Sequence, residues 1–105
     1  MNRRYEVARL EDLPPGRSML VTAGVRQLAL HNVGGTLHAT SAHCPHRQGP
    51  MSQARHQGPD IVVCPWHDWP FDVQTGQSPL IPGASVEVFP VAIENGRVFV
   101  TLEEP

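Results

Sequence analysis

The sequence predicts an all-β fold of antiparallel strands, and two observations indicate it. Apolar residues recur with a period of two or in short runs, and the helical spacing i, i+3, i+4, i+7 is hardly found over three turns. Gly, Pro and Asn bound these runs, and these residues form tight turns. We therefore expect strands at residues 5–9, 19–22, 25–32, 36–40, 61–63, 71–73, 85–91 and 97–102.

Turn chemistry separates the predicted strands at four places. The proposed turns lie at residues 13–16, 32–35, 72–76 and 94–96, and they contain residues that accept a positive φ or preset a turn-like φ. Asn95-Gly96 is the strongest hairpin signal, and it joins the last two predicted strands. Pro90 has no N–H for a ladder, so we expect it at an edge or a bulge.

The length of 105 residues fits one domain, residues 1–105, that buries about two-thirds of the surface of its unfolded chain. Charged residues make up 17% of the chain and the net charge is -2, which gives no footprint for nucleic acid or an anionic membrane. No apolar stretch approaches the ~20 residues of a spanning helix, and no signal peptide is evident. We expect a cytoplasmic protein.

The two cysteines should therefore be reduced, which favours a metal or catalytic role over a disulfide. Two irregular stretches, residues 41–60 and 77–84, interrupt the strand pattern. A stretch of about 20 residues without regular structure in so small a domain is typical of a functional loop.

Four potential metal ligands occur as two close pairs, Cys44-Pro45-His46 and Cys64-Pro65-Trp66-His67. Two such loops side by side would form a site with two thiolates and two imidazoles. A structural zinc site pairs Cys with Cys and His with His, whereas each loop here offers one of each. The mixed order favours a centre with two metal atoms, and a zinc site or two unligated core thiols remain as alternatives.

These loops resemble those of the Rieske ferredoxins. Residues 64–76 are similar to the family's second ligand loop with the strand and turn after it, and residues 78–83 resemble its proline-containing third loop. The resemblance implies antiparallel sheets with a two-loop tip that binds one 2Fe-2S cluster. It also implies that Cys44 and Cys64 bind the inner iron, and that His46 and His67 bind the outer, more exposed iron.

Two positions depart from the family pattern. Gln48 and Asp68 stand where the family most often has glycine. Glycine permits a positive φ or a close approach of the backbone to sulfur; Asp also tolerates that conformation, and Gly49 could replace glycine one position later. Asp68 could also place a carboxylate near the outer iron.

The resemblance further implies a low reduction potential. High-potential members carry an additional cysteine in each loop and Ser and Tyr hydroxyl donors, and this chain has Trp66, Trp69 and Phe71 at the corresponding positions of its second loop. Fewer donors leave more negative charge on the sulfurs and disfavour reduction, so we expect a potential near about -150 mV.

The implied function is electron transfer rather than catalysis. No residues remain for a second domain with a mononuclear iron, and no G-x-G-x-x-G motif occurs. The expected donor is a flavin-dependent reductase, and the expected acceptor is a terminal ring-hydroxylating oxygenase of a bacterial dioxygenase system. Docking is expected at the face where His46 and His67 reach solvent, framed by Arg47, Gln48, Met51, Asp68, Trp69 and Pro79.

Three alternatives remain at this point: the small Rieske subunit of an assimilatory nitrite reductase, a zinc-stabilised interaction module, and a redox sensor. The other four histidines are expected to have no role in ligation. We predict that His31 and His38 are half-exposed, that His56 is solvated, and that His43 points away from the ligands.

Overall fold

The computed structural model describes residues 1–45 and 48–104, and it confirms the all-β prediction with antiparallel pairing between the strands. Two 3₁₀ helices, Leu10–Asp12 and Met51–Gln53, lie in the connections. The strands are β1 (Asn2–Arg9), β2 (Arg17–Ala23), β3 (Arg26–Val33), β4 (Thr36–Ser41), β5 (Arg55–His56), β6 (Ile61–Val63), β7 (Pro70–Asp72), β8 (Val88–Phe89), β9 (Val91–Glu94) and β10 (Arg97–Glu103).

Two sheets form the base of the molecule, in the strand orders β1-β10-β9 and β2-β3-β4-β8. The period-two pattern places alternate side chains of β10, Val98, Val100 and Leu102, in a core that the two sheets share. Each fully buried aliphatic side chain of this kind contributes about 1.5–3 kcal/mol to folding. This base supports the smaller sheet that carries the predicted ligand loops.

The third sheet has the order β5-β6-β7, and it packs around a second core. β3 is the wall between the two cores, since Leu28 and Leu30 belong to the first and Ala29 to the second. The second core also contains both cysteines and Met51. The predicted ligand sulfurs are therefore part of a packed interior.

The end of the chain shows where the turn predictions were confirmed and where the strand prediction was wrong. Asn95 and Gly96 have φ of 53° and 75°, and Arg97 pairs with Glu94 across this two-residue turn. The single strand expected at residues 85–91 is two strands that belong to different sheets. β8 pairs with β4, β9 pairs with β10, and Pro90 lies between them because it cannot donate to a ladder.

The irregular stretch at residues 41–60 contains structure that the pattern did not reveal. β5 has two residues and the 3₁₀ helix at Met51–Gln53 has three, too few for either periodicity to be visible. In the part of the chain that the structure describes, no helix is long and apolar enough to cross a membrane.

Candidate metal centre

The first ligand loop, residues 44–49, leaves the base at the end of β4. Its neck is closed by backbone hydrogen bonds: the N–H of Cys44 donates to the carbonyl of Gly49 at 2.8 Å, and the N–H of Met51 donates to the carbonyl of Ala42 at 2.9 Å. His43 lies within this neck, where it forms a bridge with Pro50, and it is exposed. His46 and Arg47 lie outside the described residues, so the prediction that His46 is a ligand is not tested by the structure.

The second ligand loop, residues 64–69, connects β6 to β7 and has the same closure. The N–H of Cys64 donates to the carbonyl of Trp69 at 2.9 Å, again from the cysteine to the residue five positions later. Gln48 and Asp68, each four positions after its cysteine, have φ of 62° and 54°. The tolerance predicted for Asp68 is confirmed, and Gln48 itself adopts the left-handed conformation.

The two cysteine sulfurs lie in the protein interior, and the imidazole of the second loop lies at the surface. Cys44 is 1% exposed and Cys64 is fully buried; both are thiols rather than half-cystines, while His67 is exposed. Two thiols in a dry core with an imidazole at the surface are the donor types that a cluster with an inner and an outer iron requires.

Gly49 is where the two loops meet. A β-carbon at this position would overlap Cys64 Sγ and would lie 3.1 Å from Cβ of Trp66. Its φ is not in the left-handed region, in contrast to the other glycines of the chain. Gly49 is therefore required for close approach to the cysteine, and not for the positive φ that sequence reasoning considered.

The third loop, residues 78–83, is held by Ser78. Its Oγ accepts the N–H groups of Leu80 and Ile81 at 3.3 and 3.0 Å, and the backbone bridge between Gln77 and Ser85 closes the base of the loop. Leu80 is 71% exposed. A shallow cleft separates this loop from the two ligand loops, lined by Pro45, Trp69 and residues 81–84.

One expectation about the surrounding side chains was wrong. Met51 was expected on the docking face, but it is fully buried because the 3₁₀ helix that begins with it packs against β2 and β3. The carboxylate of Asp68 is paired in the structure, since its Oδ1 is 2.8 Å from Nη1 of Arg55.

The histidine predictions were also partly wrong, because His31 is fully buried and His56 is half-buried. Hydrogen bonds join them in a chain: His56 Nε2 to Ser18 Oγ (2.8 Å), Ser18 Oγ to His31 Nδ1 (2.6 Å), and His31 Nε2 to Thr40 Oγ1 (2.9 Å). Thr40 donates its hydroxyl proton to the carbonyl of Ser41 at 3.1 Å. A period-two pattern cannot show that both faces of β3 are covered.

The direction of each hydrogen bond in this series follows by elimination. Thr40 donates to Ser41 and must accept from His31 Nε2–H, so neutral His31 accepts from Ser18 at Nδ1. Ser18 in turn accepts from His56 Nε2–H, and His56 Nδ1 is left as a buried acceptor without a partner among the described residues. Burial, followed by repulsion from His56 and His38, lowers the pKa of His31 to about 3.

A single-ion site made of three ligands is not found among residues 1–45 and 48–104, where no three His, Cys, Asp or Glu side chains could hold one metal ion. The family resemblance implies a different arrangement, in which each of two irons takes two protein ligands. Three of the four predicted ligands, Cys44, Cys64 and His67, lie on the two equivalent loops; His46 is outside the described residues.

The chain belongs to the Rieske 2Fe-2S domain family, whose model matches residues 3–90. Among curated proteins it is similar to the ferredoxin component of the naphthalene 1,2-dioxygenase system of Pseudomonas putida, with 37% identity over 98 residues, 92% of this chain and 93% of that protein. This confirms the predicted family and the predicted cofactor, one Rieske-type 2Fe-2S cluster.

Two solved structures extend the comparison. The ferredoxin in the complex of reduced oxygenase and oxidized ferredoxin of carbazole 1,9a-dioxygenase matches with a TM-score of 0.81 and 31% identity over 92% of this chain and 91% of that one. A putative NADH-dependent nitrite reductase small subunit from Mycobacterium tuberculosis matches with a TM-score of 0.88 over 100% of this chain and 99% of that one. Its identity is 24%, so this second likeness shows the fold alone.

Proposed function

We propose that this protein is a low-potential Rieske ferredoxin that carries single electrons to the terminal oxygenase of a ring-hydroxylating dioxygenase system. The observation that carries the proposal is the pair of equivalent loops, each placing a buried thiol next to a closing backbone hydrogen bond. The relatives support it, since they are ferredoxin components of such systems rather than catalytic subunits.

The proposed ligands are Cys44 and Cys64 for the inner iron and His46 and His67 for the outer iron. When bound, the cluster takes up and releases one electron. The buried cysteines exclude water from the inner side, and the exposed His67 lies between the centre and solvent, on the side where a partner could approach. One electron enters from a reductase and the same electron leaves to the oxygenase, so no bond of a substrate changes on this chain.

The described part of the tip offers an apolar docking surface, formed by Trp66 (48% exposed), Leu80 (71% exposed) and the exposed prolines 45, 65, 79 and 82. A small surface of this kind fits partners that separate after each electron transfer. The structural relative that was solved as a complex of oxygenase and ferredoxin supports an oxygenase as the acceptor. We propose a flavin-dependent reductase as the donor.

Anaerobic dithionite titration of the purified protein tests the cofactor and the potential together. We expect two irons and two sulfides per chain, one-electron bleaching, an electron paramagnetic resonance signal with an average g below that of all-cysteine clusters, and a midpoint near about -150 mV. A colourless protein with one zinc per chain would overturn the proposal in favour of a zinc-stabilised module. A midpoint well above zero would contradict only the low potential.

The ligand assignment is tested in the same assay with His67→Ala and the matched control His43→Ala. Both histidines are exposed; His67 lies in the second ligand loop and His43 lies just before the first, and only His67 is a proposed ligand. We expect His67→Ala to lose the Rieske signal and His43→Ala to keep it. An unchanged spectrum of His67→Ala would remove His67 from the ligand set.

The docking surface is tested by Leu80→Asn, with Ile93→Asn as a control on β9, outside the three loops. Both side chains are exposed apolar groups, at 71% and 44%. A buried, unpaired amide at an interface is costly and carries no charge, so Leu80→Asn should slow electron delivery to an aromatic-ring oxygenase while the midpoint potential stays unchanged. Equal rates for the two variants would exclude Leu80 from the docking surface.

The nitrite reductase alternative would require a stable complex with a large sirohaem-containing partner. Because the nitrite reductase likeness shows only the fold, the closer ferredoxin relatives favour the oxygenase.

A further inference from the structure

We propose that Arg55 is a positioning residue of the redox centre that compensates the charge of Asp68, and that this ion pair sets the local charge beside the outer iron and thereby its reduction potential. The inference rests on the proposed function, since it requires a cluster held by His67. It assigns a role to a strand residue that belongs to neither ligand loop.

The fold explains how Arg55 reaches the second loop. Arg55 is the first residue of β5, and it pairs with Val63 on β6, the residue immediately before Cys64. It therefore lies at the edge of the small sheet from which the second loop emerges. From there its Nη1 reaches Oδ1 of Asp68 at 2.8 Å, across 13 positions of sequence.

Asp68 is next to the proposed ligand His67, and both residues have a left-handed backbone, with φ of 54° and 66°. Because the two residues are consecutive on this turn, the carboxylate of Asp68 is attached to the same short segment as the imidazole of His67. β5 follows the first ligand loop along the chain, so the Arg55–Asp68 pair also links the segment that leaves the first loop to the second loop itself.

This ion pair has no counterpart elsewhere on the described tip. The other four ion pairs of the described residues lie on the base sheets or their connections: Arg3–Glu104, Arg4–Glu94, Arg26–Glu87 and Arg97–Glu6. Across the three loops, residues 44–49, 64–69 and 78–83, the sequence has two residues with a formal charge, Arg47 and Asp68. Removing the charge of Asp68 therefore changes a large fraction of the formal charge on the three loops.

The pair acts through charge rather than through stability. Both side chains are exposed, and exposed ion pairs contribute little to folding. Reduction adds one negative charge to the centre, which a lone carboxylate beside His67 opposes and a lone guanidinium favours. With both groups present, the midpoint potential lies between the value expected with the carboxylate alone and the value expected with the guanidinium alone.

A double-mutant cycle on the intact, cluster-loaded protein tests this, with the midpoint potential as the readout. We expect Arg55→Gln to lower the midpoint and Asp68→Asn to raise it, with the double variant close to the wild type. Asn is chosen at position 68 because it tolerates the left-handed backbone. Since the groups are exposed, both shifts should shrink as ionic strength rises.

Two controls separate charge from structure. Arg55→Lys keeps the charge without the guanidinium geometry, so its midpoint should match that of the wild type. Arg26→Gln breaks the pair with Glu87 on the base, so it should not shift the midpoint.

Single variants that shift the midpoint in the same direction, or do not shift it at all, would overturn the inference. A wild-type protein without the Rieske spectrum would instead overturn the proposed function on which the inference rests.

Discussion

Gly49→Ala is expected to prevent cluster binding although alanine is otherwise compatible with the backbone at this position. The added methyl group would occupy the space of Cys64 Sγ and press on Trp66. The residue cannot move away without breaking the hydrogen bond that its carbonyl accepts from Cys44. Overpacking of this kind costs about 1–3 kcal/mol, and here it acts directly on a proposed ligand atom. Iron content and the visible spectrum after anaerobic reconstitution give the result.

The matched control is Gly58→Ala, in the connection between β5 and β6. Gly58 has φ of 67° and open space around the position of a β-carbon, so its replacement introduces backbone strain without a collision. That strain costs about 1–2 kcal/mol, and we expect Gly58→Ala to keep its cluster. Full iron content with an unchanged spectrum in Gly49→Ala would show that close approach at this position is not required.

Acid is expected to destabilise the fold through His31. The pKa of this buried histidine is lowered from its ordinary value of 6.5 to about 3, so the native state holds it neutral while the unfolded chain takes up a proton below pH 6.5. The stability that depends on neutral His31 is therefore complete above pH 6.5, and it is lost as the pH falls toward 3. One proton corresponds to a slope of up to about 1.4 kcal/mol per pH unit.

The neighbouring groups act in the same direction. Burial also lowers the pKa of His56, and His56 and His38 both oppose a charge on His31.

The variant His31→Gln separates the contribution of His31 to the acid limb from that of the carboxylates, because glutamine can donate to Thr40 and accept from Ser18 but does not titrate.

Urea unfolding of the anaerobic holoprotein at pH 7, 6 and 5 should give a flatter acid limb for His31→Gln than for the wild type. The exposed control His43→Gln should follow the wild type. Parallel acid limbs for His31→Gln and the wild type would contradict this role of His31.

The cysteine and histidine spacing, together with the family resemblance of the two loops, was sufficient to predict the kind of centre, because ligands that are close in sequence stay close in any loop. The same holds for the Asn95-Gly96 hairpin, whose geometry is local. The separation of β8 from β9 was not predictable, because their membership in different sheets depends on β4 and β10. β5 was invisible for a related reason: two residues become a strand only when Val62 and Val63 lie opposite them.

The sequence by itself determined the all-β class, the two ligand pairs and the family they resemble, since periodicity, turn chemistry and motif spacing are properties of neighbouring residues. Only the tertiary structure decided that Gly49 must lack a side chain, that Asp68 is paired with Arg55, and that His31 is fully buried between Ser18 and Thr40. Each of these depends on atoms brought together from distant segments, and a pattern within one segment contains no information about what packs against it.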